Sequence, residues 1–182
     1  VTSGNVLDIA QILPGKELIF VPDMLMAQNL EAELKRRGTP KKIISSGGSC
    51  CVHDKYRPEH VKKLRADYPG ISVVAHPECP IEVCELCDYV GSTKGMAAYV
   101  ARTQAPVYGM LTEFGLVNRM EAEHPDKKII WPFGVCSYMK RNTLANTLQA
   151  LADPLPAQTV SVDEQTASAA RKAIEKMFEL AQ

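Results

Sequence analysis

Net charge is the first thing this sequence does without: 21 basic side chains balance 21 acidic ones across 182 residues. A chain with no surplus of Lys and Arg lacks the electrostatic footprint of a phosphate-backbone binder, so nucleic acid is a poor candidate partner. Long apolar runs are missing too. Residues 18–21 and 71–75 are among the longest, far short of the roughly 20 residues that a membrane-spanning helix needs. No leader of the signal-peptide kind is visible, and there is no initiator Met. The chain starts at Val1-Thr2-Ser3, in what reads as the middle of a loop, and the expectation is a piece of something longer. A disulfide framework is also absent from the pattern. Cys50 and Cys51 are adjacent, and Cys79, Cys84 and Cys87 crowd into nine positions. Thiols so placed, in a chain of alternating strands and helices, fit a cytoplasmic protein that uses them for metal or redox chemistry.

What is present is enough for one globular body or two small ones, with 46% hydrophobic and 23% charged residues. Apolar spacing and turn residues predict helices at 6–13, 24–37, 58–68, 80–87, 94–103, 113–123, 142–152 and 162–181. Short apolar runs predict strands at 18–21, 41–45, 71–75, 88–90, 107–111 and 127–131. Alternation of this kind implies parallel sheets covered on both faces. The pattern also repeats. Lys41-Lys42-Ile43-Ile44 recurs 86 positions later as Lys127-Lys128-Ile129-Ile130, and at the same offset Gly48 recurs as Gly134 and Cys50 as Cys136. Val1-Thr2-Ser3 aligns with Val90-Gly91-Ser92, and Pro22-Asp23 with Thr112-Glu113, at nearly that offset. The fold class expected is α/β: two repeated three-layer α/β/α units with short parallel sheets, plus C-terminal helices. The domains are read as residues 1–75 and 76–152, followed by a linker and C-terminal helix at 153–182.

Each repeat places a Gly-x-Cys just after a strand, and ligands of open parallel sheets bind beyond the carboxyl ends of the strands. Cys50 and Cys136 are therefore candidate metal ligands facing a shared centre, against the plainer reading of a duplicated scaffold whose Cys are small buried hydrophobes. Two thiolates complete neither a zinc site nor an iron–sulfur site. Cys79, Cys84 and Cys87 have plant-type ferredoxin spacing. Residues 81–86 read as helix, however, which makes those thiols ordinary core residues. They define the competing reading, a non-enzymatic iron–sulfur or zinc module. His76 and Glu78 follow a strand, point the same way by alternation and are stiffened by Pro77 and Pro80. They suit proton transfer or the grip of a polar substrate. Thr2-Ser3 and Ser92-Thr93 each precede a helix, as N-caps or as anion-binding turns. His53 could be a ligand or base, and as a lone loop His reads as structural. Lys140 could bring a cation to the site.

Taken together, several segments resemble the quinolinate synthase family. They are Thr2-Ser3-Gly4-Asn5, Gly48-Ser49-Cys50-Cys51-Val52-His53, His76-Pro77-Glu78-Cys79-Pro80, Val90-Gly91-Ser92-Thr93, Thr112-Glu113-Phe114-Gly115 and Cys136-Ser137-Tyr138-Met139-Lys140-Arg141-Asn142-Thr143. The resemblance implies three similar α/β domains around a central site, of which this chain would hold two. It implies condensation of iminoaspartate with dihydroxyacetone phosphate to quinolinate, with loss of phosphate and water, in NAD biosynthesis. Cys50 and Cys136 would be two of three ligands of a 4Fe-4S cluster with one open iron. The third would come from the missing N-terminal domain. Ser3, His76, Glu78 and Thr93, with Ser92 beside them, would bind substrate. Glu78 would be the general acid/base, with His76 orienting it or sharing the proton. Functional coupling to L-aspartate oxidase is also implied, and the fragment alone would be inactive. Two local departures are Met24-Leu25-Met26, where the family usually has Asn or His, Leu and Gly, and Ser137 in place of a common Pro.

Overall fold

The computed structural model describes residues 1–181, in two units, Val1–Val135 and the residues from Cys136 onward. The first unit begins with α1 (Val6–Ile12), β1 (Glu17–Phe20), α2 (Met24–Arg36) and β2 (Lys42–Ser45). It continues with α3 (Pro58–Asp67), β3 (Ser72–Ala75), α4 (Ile81–Cys84), β4 (Tyr89–Val90), α5 (Thr93–Arg102), β5 (Tyr108–Leu111), α6 (Phe114–Glu123) and β6 (Ile129–Ile130). All strand pairs are parallel. β1 pairs with β2, while a second sheet has the order β4-β3-β5-β6. β3, on which the sequence reading closes its first repeat, is hydrogen-bonded to β4 and β5 and so belongs to this second sheet.

Alternation along β3 and β5 splits the second sheet's side chains between two cores. Val73, Ala75 and Leu111 face one way and pack with Val61 and Leu64 of α3 and Val83 of α4. Val74, Tyr108 and Met110 face the other way and pack with Met96 and Val100 of α5 and Val117 and Met120 of α6. These strands are buried on both faces, so they read as mainly apolar runs, and the result is three layers. The smaller sheet turns Leu18, Phe20 and Ile43 toward Val6 and Ala10 of α1 and Met26, Leu30 and Leu34 of α2. Its other face presents Ile19, 81% exposed, and Ile44, 43% exposed, which are register partners.

The sequence repeat is carried by shared hydrogen bonds. Asp23 caps α2 through Met26 N–H, and Glu113 caps α6 through Gly115 N–H. The amide after each acid reaches the repeat-equivalent glycine: Met24 N–H donates to the Gly48 carbonyl at 2.7 Å, and Phe114 N–H to Gly134 at 3.0 Å. Lys41 donates to the carbonyls of Leu13 and Gly15 beyond α1, and Lys127 to those of Val100 and Thr103 at the end of α5. Lys127 thus satisfies carbonyls that the end of α5 leaves without partners, and Lys41 does so at Leu13, the C-cap of α1.

The second unit holds a one-turn helix at Met139–Arg141, α7 (Leu144–Ala152) and α8 (Glu164–Leu180). Thr143 caps α7 and Asp163 caps α8 through their side chains. Leu144, Leu148 and Leu151 form an exposed stripe along α7, and Ile174 and Phe178 one along α8. No helix among the described residues is long and apolar enough to cross a membrane.

Candidate functional site

Three loops at the carboxyl ends of strands meet in the first unit. The loop after β2 carries Cys50 and, on a one-turn helix at His53–Lys55, the imidazole of His53. The segment after β3 carries His76 and Glu78, and the residue after β5 is Thr112. Gly48 shapes the first loop because its backbone passes so close to β1's exit that a Cβ would lie 2.7 Å from the Pro22 carbonyl oxygen. Gly134, its repeat partner, has φ +127°, which only glycine adopts readily. Cys50 and Cys136 each stand two residues beyond such a glycine.

His53 is the hub. Its Nδ1 lies 2.9 Å from Glu78 Oε2 and 3.2 Å from Cys50 Sγ, and its Nε2 lies 3.3 Å from Thr112 Oγ1. Its ring stacks on that of His76 at a centroid distance of 4.7 Å. Glu78 Oε2 also stands 3.5 Å from His76 Nδ1, and the Glu78 amide donates to that same Nδ1 at 3.4 Å. Both imidazoles are buried and the carboxylate is 26% exposed. Burial opposes a charge on His53, but its contacts with the Cys50 sulfur and the Glu78 carboxylate outweigh burial and raise it to about 9. Burial, reinforced by the neighbouring His53 charge, lowers His76 to about 4. The His53 hydrogen bond holds Glu78 below its ordinary range, against burial. Near neutral pH the trio is therefore an imidazolium, a carboxylate and a neutral imidazole. The neutral His76 accepts the Glu78 amide at Nδ1.

Two further residues hold this arrangement in place. Asp23, buried, accepts Met26 N–H at one oxygen and Cys50 N–H at the other, at 2.8 Å. Burial pushes its carboxyl up, partly offset by the Met26 bond. Asn29 Nδ2 donates to the carbonyls of Pro77 and Cys79, both at 2.8 Å, and so grips the backbone on either side of Glu78.

The other candidates fall elsewhere. Ser92 Oγ accepts the Gly95 amide as the N-cap of α5, and Thr93 is the exposed first residue of that helix. The Thr2–Asn5 turn lies against this one, since a Cβ on Gly4 would come within 3.6 Å of Ser92 Oγ. Ser3 and Gly91 line a cleft of about 610 Å³ together with Asn29, Arg36, Pro77 and Tyr89. The repeat-equivalent turns are thus neighbours, while Cys50, His53, His76 and Glu78 form a separate contact group. Cys136 and Lys140 belong to the second unit, where the Cys136 carbonyl accepts the Lys140 amide.

Cys79, Cys84 and Cys87 are packing residues. Cys79 and Cys84 belong to the core between the second sheet and α3 and α4, and Cys87 packs against it. Their thiols turn to the carbonyls of Leu111, Cys79 and Val83 respectively. Burial pushes Cys84 and Cys87 up to about 12, and Cys79 higher. Among the described residues, Cys50, His53 and Glu78 are the group whose donor atoms come within 4.8 Å of one another. Sequence reasoning named His53 as a ligand or base but favoured a structural role, and gave Asp23, Asn29 and Thr112 no part in the site. The spacing of Cys50 and His53, three apart on one helical turn, is the signal that could have found the hub.

The family described as quinolinate synthetase A protein (NadA) matches residues 1–179. Quinolinate synthase 1 of Mesorhizobium japonicum is 38% identical over 97% of this chain and 52% of its own length. The quinolinate synthase of Agrobacterium fabrum is 36% identical over 98% of the chain and 50% of its own length. That of Methanoregula boonei is 37% identical over 98% of the chain and 58% of its own length. The chain spans about half the length of these relatives, and, with the family matched across nearly all of its residues, it belongs to the quinolinate synthetase A (NadA) family.

Proposed function

We propose that these 182 residues are the part of a quinolinate synthase that holds substrate and supplies two of the cluster's three thiolates. The reaction is the condensation of iminoaspartate with dihydroxyacetone phosphate to quinolinate, with loss of phosphate and water, in the cytoplasm. Functional coupling to L-aspartate oxidase belongs to the same reading. The observation that carries it is the contact group of Cys50, His53, His76 and Glu78 at the carboxyl ends of the strands, in a chain of this family.

Cys50 and Cys136 would be this chain's thiolates for a 4Fe-4S cluster, which is ordinarily held by cysteine sulfur. Cys50 is a half-buried thiol on a loop held by Asp23 and shaped by Gly48, and Cys136 follows the equivalent glycine. A third thiolate is proposed to lie in the part that the relatives carry beyond this chain, which leaves the 182 residues inactive alone. When bound, such a cluster with an open iron supplies Lewis acidity toward a substrate oxygen or nitrogen.

The chain's own residues would do the rest. Glu78 takes a proton at Oε2 and returns it, as general acid/base. His53, an imidazolium 2.9 Å away, donates a hydrogen bond to the Glu78 carboxylate and keeps it ionised between turnovers. His76, neutral and accepting the Glu78 amide at Nδ1, orients Glu78 through its backbone and offers its Nε2–H to substrate. Ser3, Ser92 and Thr93 would grip the substrate's anionic groups from paired helix-entry turns. Quinolinate formation by a longer chain containing these residues tests the proposal. Glu78→Gln should lower kcat by about 10²–10⁴-fold, the usual contribution of a general acid/base. Activity within about twofold of the unsubstituted protein would remove Glu78 from that role.

A further inference from the structure

We propose that Cys50, His53 and Glu78 form a three-ligand site for a single divalent zinc ion, in a chain that carries no cluster. The site rests on the geometry of the first unit and stands whether or not Cys50 also serves a cluster. Tetrahedral zinc holds sulfur at about 2.3 Å and nitrogen or oxygen at about 2.0–2.2 Å, which places neighbouring donors roughly 3.3–3.6 Å apart. Here Nδ1 of His53 is 3.2 Å from Cys50 Sγ and 2.9 Å from Glu78 Oε2, and the three donor atoms lie within 4.8 Å of one another. The two Nδ1 pairs open by a few tenths of an ångström, and Cys50 Sγ and Glu78 Oε2, within 4.8 Å of each other, settle on the ion, which takes the place of the Nδ1 proton.

The surroundings are those of a built site. A zinc-bound imidazole ordinarily gives its other N–H to an oxygen acceptor, which fixes tautomer and ring orientation. His53 Nε2 already faces Thr112 Oγ1 at 3.3 Å. Cys50 is fixed by its amide's bond to Asp23, and Glu78 by the Asn29 clamp on Pro77 and Cys79. One thiolate, one imidazole and one carboxylate make a borderline-soft set that suits zinc or cobalt and disfavours magnesium and calcium, which take oxygen ligands. Three protein ligands leave a fourth position for water or an anion, as in catalytic zinc sites. Occupation by zinc and by a cluster exclude each other at Cys50, so zinc would block cluster assembly.

The test titrates the reduced, metal-free 182-residue chain with Zn²⁺ against a chromophoric chelator, and in parallel with Co²⁺. One equivalent should bind. The Co²⁺ form should show tetrahedral visible bands and a near-ultraviolet thiolate charge-transfer band of one-sulfur intensity. Cys50→Ser should abolish that band. His53→Gln and Glu78→Gln should weaken binding at least ~10-fold, and Thr112→Val by about 10–100-fold, the usual effect of losing a partner of a ligand. Cys136→Ser and Cys84→Ser should bind as the unsubstituted chain does. The proposal is overturned by absence of stoichiometric binding, by a charge-transfer band of two or more sulfurs, or by loss of binding in Cys136→Ser or Cys84→Ser. Because the band is read on the unsubstituted chain, a variant that fails to fold does not rescue the proposal. No cluster or substrate enters the experiment, so its failure leaves the proposed quinolinate synthesis untouched.

Discussion

The hydroxyl of Tyr56 ties the Cys50 loop to the second sheet, and Tyr56→Phe measures that tie. The ring is fully buried, and its hydroxyl donates to the Phe133 carbonyl at 2.5 Å and to the Thr112 carbonyl at 3.1 Å. Removing one oxygen changes neither the stacking of the ring on Phe133 nor the volume of the core. The Thr112 carbonyl keeps the Trp131 indole N–H, 3.2 Å away. The part-buried Phe133 carbonyl loses this donor, and stranding such an acceptor costs about 1–3 kcal/mol. We therefore expect a loss of about 2 kcal/mol, or roughly 4–8 °C in Tm for a chain of this size. Urea unfolding can be followed by the emission of Trp131, the only tryptophan, whose indole N–H bonds the neighbouring Thr112 carbonyl. The midpoint should fall with the slope unchanged. A change below about 0.5 kcal/mol, the range of a neutral surface substitution, would refute the reasoning.

Three other expectations follow from the same packing. Asp23→Ala removes an N-cap and the tether on the Cys50 amide together, and thermal unfolding should show about 1–3 kcal/mol of destabilisation. Asn29→Leu strips two donors from the backbone around Glu78; amide exchange at Glu78 and Cys79 should quicken about tenfold or more, as loss of one or two hydrogen bonds requires. The buried thiols set an alkaline limit. Cys84 and Cys87 are raised from 9.0 to about 12 in the folded chain, so their contribution is complete below about pH 9 and is lost as pH rises through about 12. Urea unfolding between pH 8 and 10.5 should therefore show a shallower loss of stability in a Cys84→Ala, Cys87→Ala double variant, and an unchanged slope would contradict it.

The strands and helices were legible because their signals are local. Pro14-Gly15, Gly38 and Pro69-Gly70 punctuate the chain where elements end, and the buried strands β3 and β5 read as short, mainly apolar runs interrupted at Ser72 and Gly109. The repeat was legible because Lys41 and Lys127, Gly48 and Gly134, and Asp23 and Glu113 each do the same structural work twice. Sheet membership was not. Nothing in the periodicity of residues 71–75 says that β3 pairs with β5 rather than with β2, because pairing is decided by contacts distant in sequence. The exposure of Ile19 and Ile44 was hidden for a related reason: an apolar strand is written identically whether or not its second face is covered. In the site, His76 and Glu78 were readable from the rigid Pro-bounded segment. The primacy of His53 depends on Thr112, 59 residues away, and on Glu78, 25 away. The ferredoxin-like spacing of Cys79, Cys84 and Cys87 misleads because spacing does not record burial.

The most direct test of the account is anaerobic iron and sulfide quantification, with an absorption spectrum, after reconstitution of a longer chain containing these residues. Cys50→Ala, Cys136→Ala and Cys84→Ala would be compared with the unsubstituted protein. The account predicts that the brown cluster is lost in the first two and kept in Cys84→Ala. Loss in Cys84→Ala with retention in Cys50→Ala would contradict it and move the metal to Cys79, Cys84 and Cys87 in and around α4.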